Sequence, residues 1–189
     1  MNMDLFQLSD DPSSGFPDPD NCKHAEGLLA YGGDLSTVRL LNAYREGIFP
    51  WYSAGTPILW WSPNPRPVFL TDTYRPNKRL LRTLKKPWGL SYDTCFESVI
   101  DACAEPRTGQ PETWITPAMK RAYHALHGLG YAHSVEVWWE DELVGGLYGV
   151  AVGKVFFAES KFFRRTDASK VALAKFISQL KLWGYTHLD

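Results

Sequence analysis

Residues 133–162, HSVEVWWEDELVGGLYGVAVGKVFFAESKF, decide the fold of this 189-residue chain. They contain three strand-like runs, which meet at the short connectors Asp141-Glu142 and Gly153-Lys154. Connectors of this length join antiparallel neighbours, because a parallel partner needs a long crossover. The sequence therefore predicts a three-stranded antiparallel meander.

Helical patterns surround these strands. Apolar residues recur at helical spacing in 93–105 and 113–130 before the meander and in 167–184 after it, and 186–189 begin a further strand. In the second of these, Thr116 is the expected cap, and Met119, Tyr123 and Leu126 form the buried stripe. This order predicts an α+β fold that matches the core of acetyltransferase-like (GNAT-type) proteins.

The N-terminal part predicts a separate small domain. The first 25 residues are rich in turn formers, and we expect Phe16-Pro17-Asp18-Pro19 to form an extended segment on the surface, with order beginning near Gly27. Ser36 as N-cap and Gly47 at the C-terminal end predict a helix over 37–46. Residues 48–70 are rich in aromatic residues and proline, and we place the seam there, with domains at 1–65 and 66–189.

Composition excludes several classes of protein. The three cysteines have neither zinc-site spacing nor an even count for disulfides, so we expect no metal and a reducing compartment. We also expect no cofactor. No apolar run of 18 residues occurs, and the N-terminus lacks a basic stretch followed by an apolar one. These features predict a cytoplasmic protein without membrane partners.

Seven strings in order give a resemblance to a known family. They are GGDLS (32–36), GIFPWYS (47–53), ILWWSPNPR (58–66), TWIT (113–116), AHSVEVW (132–138), LVGGLYGVA (143–151) and ASK (168–170). From about residue 16 to its last residue, the chain resembles the leucyl/phenylalanyl-tRNA–protein transferases. The resemblance implies transfer of Leu or Phe, and less well Met, from aminoacyl-tRNA to proteins that begin with Arg or Lys. It also implies that these proteins are marked for bacterial N-degron degradation, and that the enzyme is a monomer.

The resemblance also implies catalytic carboxylates. The donor is an activated ester, so the protein must position two substrates, take a proton from the amine and stabilise an oxyanion. Glu159 matches a glutamate near the acceptor amine, although a strand carboxylate paired with Lys or Arg is the alternative interpretation. Asp189 matches an aspartate that acts through a glutamine two residues later. Since the sequence stops at 189, we expect the second domain to be truncated at its C-terminus.

The same resemblance implies the binding residues. Those around the terminal adenosine and the aminoacyl group are Tyr44, Phe49, Trp51, Trp114 and Tyr123, and those of the apolar pocket are Leu147, Phe156, Phe176 and Leu188. Lys161 stands where family members place a pocket methionine, so we expect its ammonium to point outward, to pair with an acid or to spoil the pocket. Trp60 and Trp61 are expected to brace the aromatic residues. Arg66 fits a phosphate contact, a helix cap or a carboxylate pair equally well.

Six cations make residues 75–86 the strongest local charge in a chain of net charge −1. They recur at helical spacing, with Leu80, Leu81 and Leu84 on the other side. We interpret this segment as a helix that follows tRNA phosphates, and an ordinary solvated helix face is the alternative. The cations are Arg75, Lys78, Arg79, Arg82, Lys85 and Lys86.

Two other functions fit parts of the sequence. An acyl-CoA N-acyltransferase would place a glycine-rich turn after the meander to hold pyrophosphate, but FRRTDASK (163–170) contains no glycine. A non-catalytic protein that binds aminoacyl-tRNA without transferring the amino acid is the second alternative.

Overall fold

The computed structural model describes residues 5–22, 24–106 and 113–189. Two compact units are present, one formed by Met1–Arg66 with Pro106–Ala122 and the other by Pro67–Glu105 with Tyr123–Asp189. The domain boundary between residues 65 and 66 remains a prediction.

The first unit contains a four-stranded sheet. Its strands are β1 (Phe6–Leu8), β2 (Leu28–Gly32), β3 (Phe49–Pro50) and β4 (Leu59–Trp61), in the order β1-β2-β4-β3. A short 3₁₀ turn at Pro19–Asn21 and helix α1 (Thr37–Arg45) complete the regular structure of residues 5–66. The β1–β2 pair is parallel and the other two pairs are antiparallel.

Helix α1 begins and ends as the sequence predicts, to within one residue. The Ser36 hydroxyl accepts a hydrogen bond from the backbone N–H of Arg39 at 3.3 Å, which satisfies one of the free N–H groups of the first turn. After the helix, Gly47 has φ +71°, a left-handed conformation that glycine adopts without steric strain.

The prediction that order begins near Gly27 is wrong. Strand β1 lies well before that residue and is held by a buried arginine rather than by an apolar run, so no hydrophobic pattern announced it. The Arg39 guanidinium donates at 2.8 Å to the carbonyl oxygens of both Ser9 and Asp11, and it also contacts Ser14 and Asp34. This single side chain ties the N-terminal segment to helix α1.

The predicted meander forms the centre of the second unit. Strand β5 (Phe69–Leu70), helix α2 (Lys78–Leu84), strand β6 (Gly89–Tyr92) and helix α3 (Phe96–Ala104) come first. After helix α4 (Pro117–Gly128), the meander strands are β7 (Ala132–Trp139), β8 (Glu142–Val152) and β9 (Val155–Phe163). Helix α5 (Ala168–Leu182) and strand β10 (His187–Leu188) follow, and the sheet order is β5-β10-β9-β8-β7-β6.

This topology confirms the α+β class and the order of meander, helix and strand typical of acetyltransferase-like cores. Strand β10 pairs parallel with β9, as it must after a helical crossover. The predicted cap at Thr116 is confirmed, since its hydroxyl accepts from the backbone N–H of Met119 at 3.2 Å. The first hairpin turn lies one residue earlier than predicted, because Glu140 takes the left-handed conformation at φ +53°.

The basic helix is shorter than predicted. Only 78–84 are helical, because Pro76 and Pro87 disfavour helical conformation in the residues that precede them, Arg75 and Lys86. Arg75 instead turns its guanidinium back onto the carbonyl oxygens of Asp72 and Tyr74.

The predicted apolar side of helix α2 is also partly wrong. Leu81 is exposed, whereas Thr83 is buried and donates a hydrogen bond to the Arg79 carbonyl oxygen. The inward face is therefore rotated toward Leu80, Thr83 and Leu84.

Helix α5 supplies the core of the second unit. Its residues Val171, Phe176, Ile177 and Leu180 pack against the face of the sheet that carries the leucine and valine side chains of β7 and β8. On the opposite face lie the α3 residues Phe96, Val99, Ile100 and Cys103, all buried as predicted. Both faces of the meander are thus covered, which explains the nearly continuous burial of β8.

Among the helices that the structure describes, none combines the length and apolar character needed to cross a membrane. Within the same residues, no group of three or more histidine, cysteine, aspartate or glutamate side chains is arranged to hold a metal ion.

We expect Arg39→Met to lower the free energy of unfolding by about 2–4 kcal/mol, because the hydrogen bonds from a fully buried guanidinium to the carbonyl oxygens of Ser9 and Asp11 are lost. Urea denaturation of the full chain measures the change. Arg45→Met is the matched control, since Arg45 is exposed on the same helix and bonds only locally to Asn42. Equal stability of the two variants would contradict the role given to Arg39.

Candidate active site

A β-bulge determines where Glu159 points. Tyr148 of β8 pairs with Ser160, and the next residue, Gly149, pairs with Ala158, so Glu159 is the extra residue of β9. A bulge of this kind turns one side chain out of the regular alternation of a strand. The backbones approach so closely that a Cβ on Gly149 would lie 2.1 Å from the carbonyl oxygen of Phe157, so only glycine fits there.

Two tyrosines lie beside the Glu159 carboxylate. The hydroxyl of Tyr123, on helix α4, donates to Oε2 of Glu159 at 2.9 Å. The Tyr123 ring packs edge-on against that of Tyr148 with 5.4 Å between centroids, and both rings are fully buried. A phenol thus donates to the Glu159 carboxylate and helps to fix its orientation.

An apolar cavity of about 290 Å³ opens between the end of helix α5 and the sheet. Two predicted pocket residues, Phe156 and Phe176, are part of its wall, with ring centroids 4.6 Å apart. The wall is completed by the aromatic residues Tyr92, Trp183 and Tyr185, the aliphatic Ala151 and Leu180, and the polar Asp93, His133 and Ser134. An enclosure of this composition suits an apolar group.

The other predicted pocket residues lie elsewhere. Leu147 and Leu188 are buried in the core that adjoins the cavity, and neither belongs to its wall. Lys161 pairs across the sheet with Leu147, but its side chain is exposed at the surface. Because this side chain is exposed, it places no buried charge in the cavity wall.

The polar edge of the cavity is an ion pair between Asp93 and His133. The Asp93 carboxylate contacts Nδ1 of His133 at 2.7 Å and accepts from the backbone N–H of Ser134 at 2.8 Å. The hydrogen bond between His133 and the Asp93 carboxylate raises the pKa of His133. Burial alone would raise the pKa of Asp93, but the bonds from His133 and Ser134 outweigh it and hold that pKa below its ordinary value.

Asp189 continues strand β10 by backbone bonds. Its N–H donates to the carbonyl oxygen of Phe156 at 2.9 Å, and its own carbonyl oxygen accepts from Ala158 at 2.8 Å. Asp189 therefore lies on the strand next to the one that carries Glu159.

In the first unit, Trp51 presents an indole that is 51% exposed. Its carbonyl oxygen accepts from Nε1 of Trp61 at 2.7 Å, and the two rings lie 5.7 Å apart. Trp60 is fully buried and donates from Nε1 to the carbonyl oxygen of Gly32 at 2.9 Å. Trp61 thus contacts the exposed Trp51 ring, whereas Trp60 is held within the unit by Gly32.

Three further predicted contacts and Arg66 also belong to this unit. Tyr44 is buried within α1, and Phe49 and Trp114 are half-buried. Arg66 donates from Nη1 to the Gly47 carbonyl oxygen at 2.7 Å, just after the end of α1, and lies over the Phe49 ring at 4.7 Å. This bond resembles a cap at the C-terminal end of α1.

The basic residues of 75–86 are all exposed. Lys78, Arg79 and Arg82 are on helix α2, Lys85 ends it, and Arg75 and Lys86 flank it. The hydrogen bond from Lys170 is the main cause of the lowered pKa of Asp167 at the start of helix α5, and the nearby charges of Arg79 and Lys86 lower it further. The positive surface therefore extends to the beginning of α5.

Comparison with known proteins decides the family. Residues 68–189 match the family described as leucyl/phenylalanyl-tRNA protein transferase, and residues 33–64 match the N-terminal domain of the same family. The chain belongs to this family. It is therefore a transferase.

Similar proteins of the same name come from several bacteria. The relative from Xanthomonas axonopodis pv. citri (strain 306) is 53% identical over 187 residues, which cover 97% of this chain and 75% of the relative. The relative from Xanthomonas oryzae pv. oryzae (strain MAFF 311018) is 58% identical, with coverage of 87% and 66%. Among solved structures, L-PGS from Bacillus licheniformis aligns with a TM-score of 0.46 and 10% identity over 85% of this chain and 51% of that one.

Several residues of the site escaped the sequence analysis. Tyr92, Asp93 and Trp183 line the cavity, yet each lies at the end of a strand or helix, where no periodicity applies. His133 and Ser134 were part of the AHSVEVW string, but that string did not show that Asp93 would form hydrogen bonds with both of them. Tyr148 was part of the LVGGLYGVA string, and nothing in its spacing distinguished it from a core residue.

We expect Asp93→Asn to lower stability most between about pH 4 and pH 6.5. Because the pKa of His133 is raised, its interaction with Asp93 stabilises the fold fully below about pH 6.5, and this stabilisation is lost as pH rises through the raised pKa. Because the pKa of Asp93 is lowered, its ionised form stabilises the fold above about pH 3.9, and this stabilisation is lost as pH falls through the lowered pKa. The pair is partly exposed, so the effect is about 0.5–1 kcal/mol.

Thermal unfolding of both proteins from pH 4 to pH 9 tests this dependence. Asparagine tolerates the left-handed backbone at position 93, where φ is +54°. Asp72→Asn is the control, because Asp72 pairs with Lys181 and not with a histidine. The change in stability that Asp72→Asn causes should be the same at pH 6 and at pH 9. A constant difference between Asp93→Asn and the parent chain would exclude the His133 linkage.

Proposed function

We propose that this chain moves Leu or Phe, and less well Met, from aminoacyl-tRNA to the N-terminal amine of proteins that begin with Arg or Lys. Family membership supports aminoacyl transfer from tRNA to protein. The observation that carries the choice of amino acid is the apolar cavity that begins at Phe156, three residues before Glu159 on the same strand.

The cavity favours the three proposed donors over polar amino acids. Phe156, Phe176 and Leu180 offer no hydrogen bond to a side chain, so affinity depends on the apolar surface that is buried. Each buried methylene contributes about 0.8 kcal/mol. A polar donor side chain would lose its water here without gaining a partner among these three residues.

Glu159 is the proposed base. The donor ester is already activated, and an α-amino group has an ordinary pKa of about 7.7–8.0, so a nearby carboxylate can take the proton released as the amine attacks. Tyr123 supports this role by donating to one carboxylate oxygen, which fixes its orientation. Asp189, on the neighbouring strand β10, is proposed to assist through groups that follow it in related sequences.

The tRNA contacts are proposed for two surfaces. The exposed face of Trp51, with Trp114, Tyr44 and Phe49, is proposed to receive the terminal adenosine, where stacking contributes about 1–3 kcal/mol per base. The six cations of 75–86 are proposed to contact backbone phosphates without reading sequence.

The biological role follows from the same chemistry. An added Leu or Phe at the N-terminus is proposed to mark the acceptor for degradation in the cytoplasm of a bacterium, with the enzyme acting as a monomer. The acyl-CoA alternative loses its support, since the family is one of aminoacyl-tRNA transferases.

The transfer assay uses labelled Leu- or Phe-tRNA and a peptide that begins with Arg. We expect product with the parent chain and a roughly 10- to 100-fold lower kcat with Glu159→Gln, because the base is lost. A peptide with an acetylated N-terminus is the control and should give no product. Retention of charged tRNA on a filter without any product would support the non-catalytic alternative.

Charge reversal tests the tRNA surface. Arg79→Glu with Arg82→Glu should weaken tRNA binding at low salt and reduce the slope of log K against log salt by about 2, because two phosphate contacts are lost. Reversing Arg45 and Lys154, two exposed cations given no role, is the matched control. An unchanged slope for the α2 variant would identify the segment as an ordinary solvated face.

A further inference from the structure

Tyr148 carries a hydroxyl that the fold does not use. Its ring is fully buried on β8, where it packs edge-on against Tyr123 and against Phe96 of helix α3, with centroids 5.4 and 6.0 Å away. The hydroxyl oxygen is buried and has no hydrogen-bond partner among the residues that the structure describes. A buried polar atom without a partner is destabilising, and phenylalanine would fill the same space without that cost. The presence of the oxygen therefore calls for a use outside packing.

The surroundings of this hydroxyl point to Glu159. Tyr148 pairs with Ser160 at the bulge, so the extra residue Glu159 lies directly beside the pair. Glu159 accepts from Tyr123, whose ring in turn contacts Tyr148. Burial first, and then the nearness of Glu159 and Cys103, raise the pKa of Tyr148 well above its ordinary value. Its hydroxyl thus stays protonated at neutral pH and is available as a donor.

We propose that Tyr148 is a positioning residue that donates its unused hydrogen bond to the Glu159 carboxylate once the acceptor amine is bound. The proposal rests on the role proposed for Glu159. When the bound amine occupies one hydrogen-bonding position of the Glu159 carboxylate, the carboxylate can turn toward Tyr148. It then accepts hydrogen bonds from the hydroxyl groups of both Tyr123 and Tyr148. Tyr148 keeps its proton throughout, and Glu159 alone exchanges a proton with the amine.

Tyr148→Phe separates this role from packing. The variant removes only the unpartnered oxygen, so its melting temperature should equal that of the parent or rise by up to about 4 °C. We expect kcat for transfer to an Arg-beginning peptide to fall about tenfold, with the KM for charged tRNA unchanged. The acidic limb of the pH–rate profile should move to higher pH, since a carboxylate that loses a donor has a higher pKa. Parental kcat together with a parental acidic limb would overturn the proposal.

Two comparisons make the outcome specific. Tyr74→Phe is the matched control, because Tyr74 is a partly buried tyrosine of the same unit with no role in the site, and it should leave both kcat and the pH profile unchanged. In a Glu159→Gln background, Tyr148→Phe should give no further loss. If Glu159→Gln alone has parental activity, the role proposed for Glu159 fails; if Glu159→Gln is impaired while Tyr148→Phe is not, only the role of Tyr148 fails.

A titration that needs no turnover completes the test. The carboxyl carbon of ¹³C-labelled Glu159 is followed by NMR in the parent chain and in Tyr148→Phe, with and without the Arg-beginning peptide. We expect the substitution to raise the Glu159 pKa by about one unit with the peptide bound and by less without it. Equal pKa values in the two proteins with peptide present would overturn the proposal even if neither protein transferred an amino acid.

Discussion

The pairing of β8 with β9 is the constraint on which the second unit depends. These two strands lie at the centre of the six-stranded sheet, with helix α5 on one face and helix α3 on the other. Their register fixes which side chains enter the core and which face the opposite helix. The single irregularity in this pairing, at Gly149, sends Glu159 toward Tyr123 and Tyr148. Core packing and site geometry are therefore set by the same set of backbone hydrogen bonds.

The two units are stabilised in different ways. The second has a large apolar core, formed by the hydrophobic residues of its strands and of α5, and the burial of these residues stabilises it. The first is small, and buried side chains that hydrogen-bond to its backbone stabilise it in addition to aromatic packing. Arg39 donates to the carbonyl oxygens of Ser9 and Asp11, and Trp60 donates to that of Gly32. Buried donors of this kind are effective only when their acceptors stay in place, which makes such a unit sensitive to single substitutions.

Much of the fold could be predicted because it depends on local patterns. The meander, helix α1 with its caps, and the buried face of α3 each follow from spacing or capping residues within one segment. Strand β1 could not be predicted, since it pairs with the distant strand β2, and Arg39 binds the segment that follows β1 from 30 residues away. The length of α2 was overestimated because charge spacing was given more weight than the two flanking prolines.

The sequence, through its resemblance to a known family, indicated only part of the site. Glu159, Tyr123, Phe156 and Phe176 were named through the resemblance, and the structure brings each pair together. Leu147 and Leu188 were named by the same reasoning and are buried in the same core cluster as Phe156 and Phe176, and their role in the pocket stays a prediction. Asp93 and His133 come from segments 40 residues apart, and a sequence cannot show such a pair without knowing which strands are neighbours.

The bulge at Gly149 also limits how this chain can vary. A substitution on the surface of β9, such as the lysine at 161 or the phenylalanine at 163, leaves the register intact and changes only what faces the solvent. The insertion or deletion of one residue between Val155 and Glu159 would instead invert the alternation and turn Phe156 away from the core. Sequence drift in this strand is therefore compatible with the fold as long as its length, rather than its composition, is preserved.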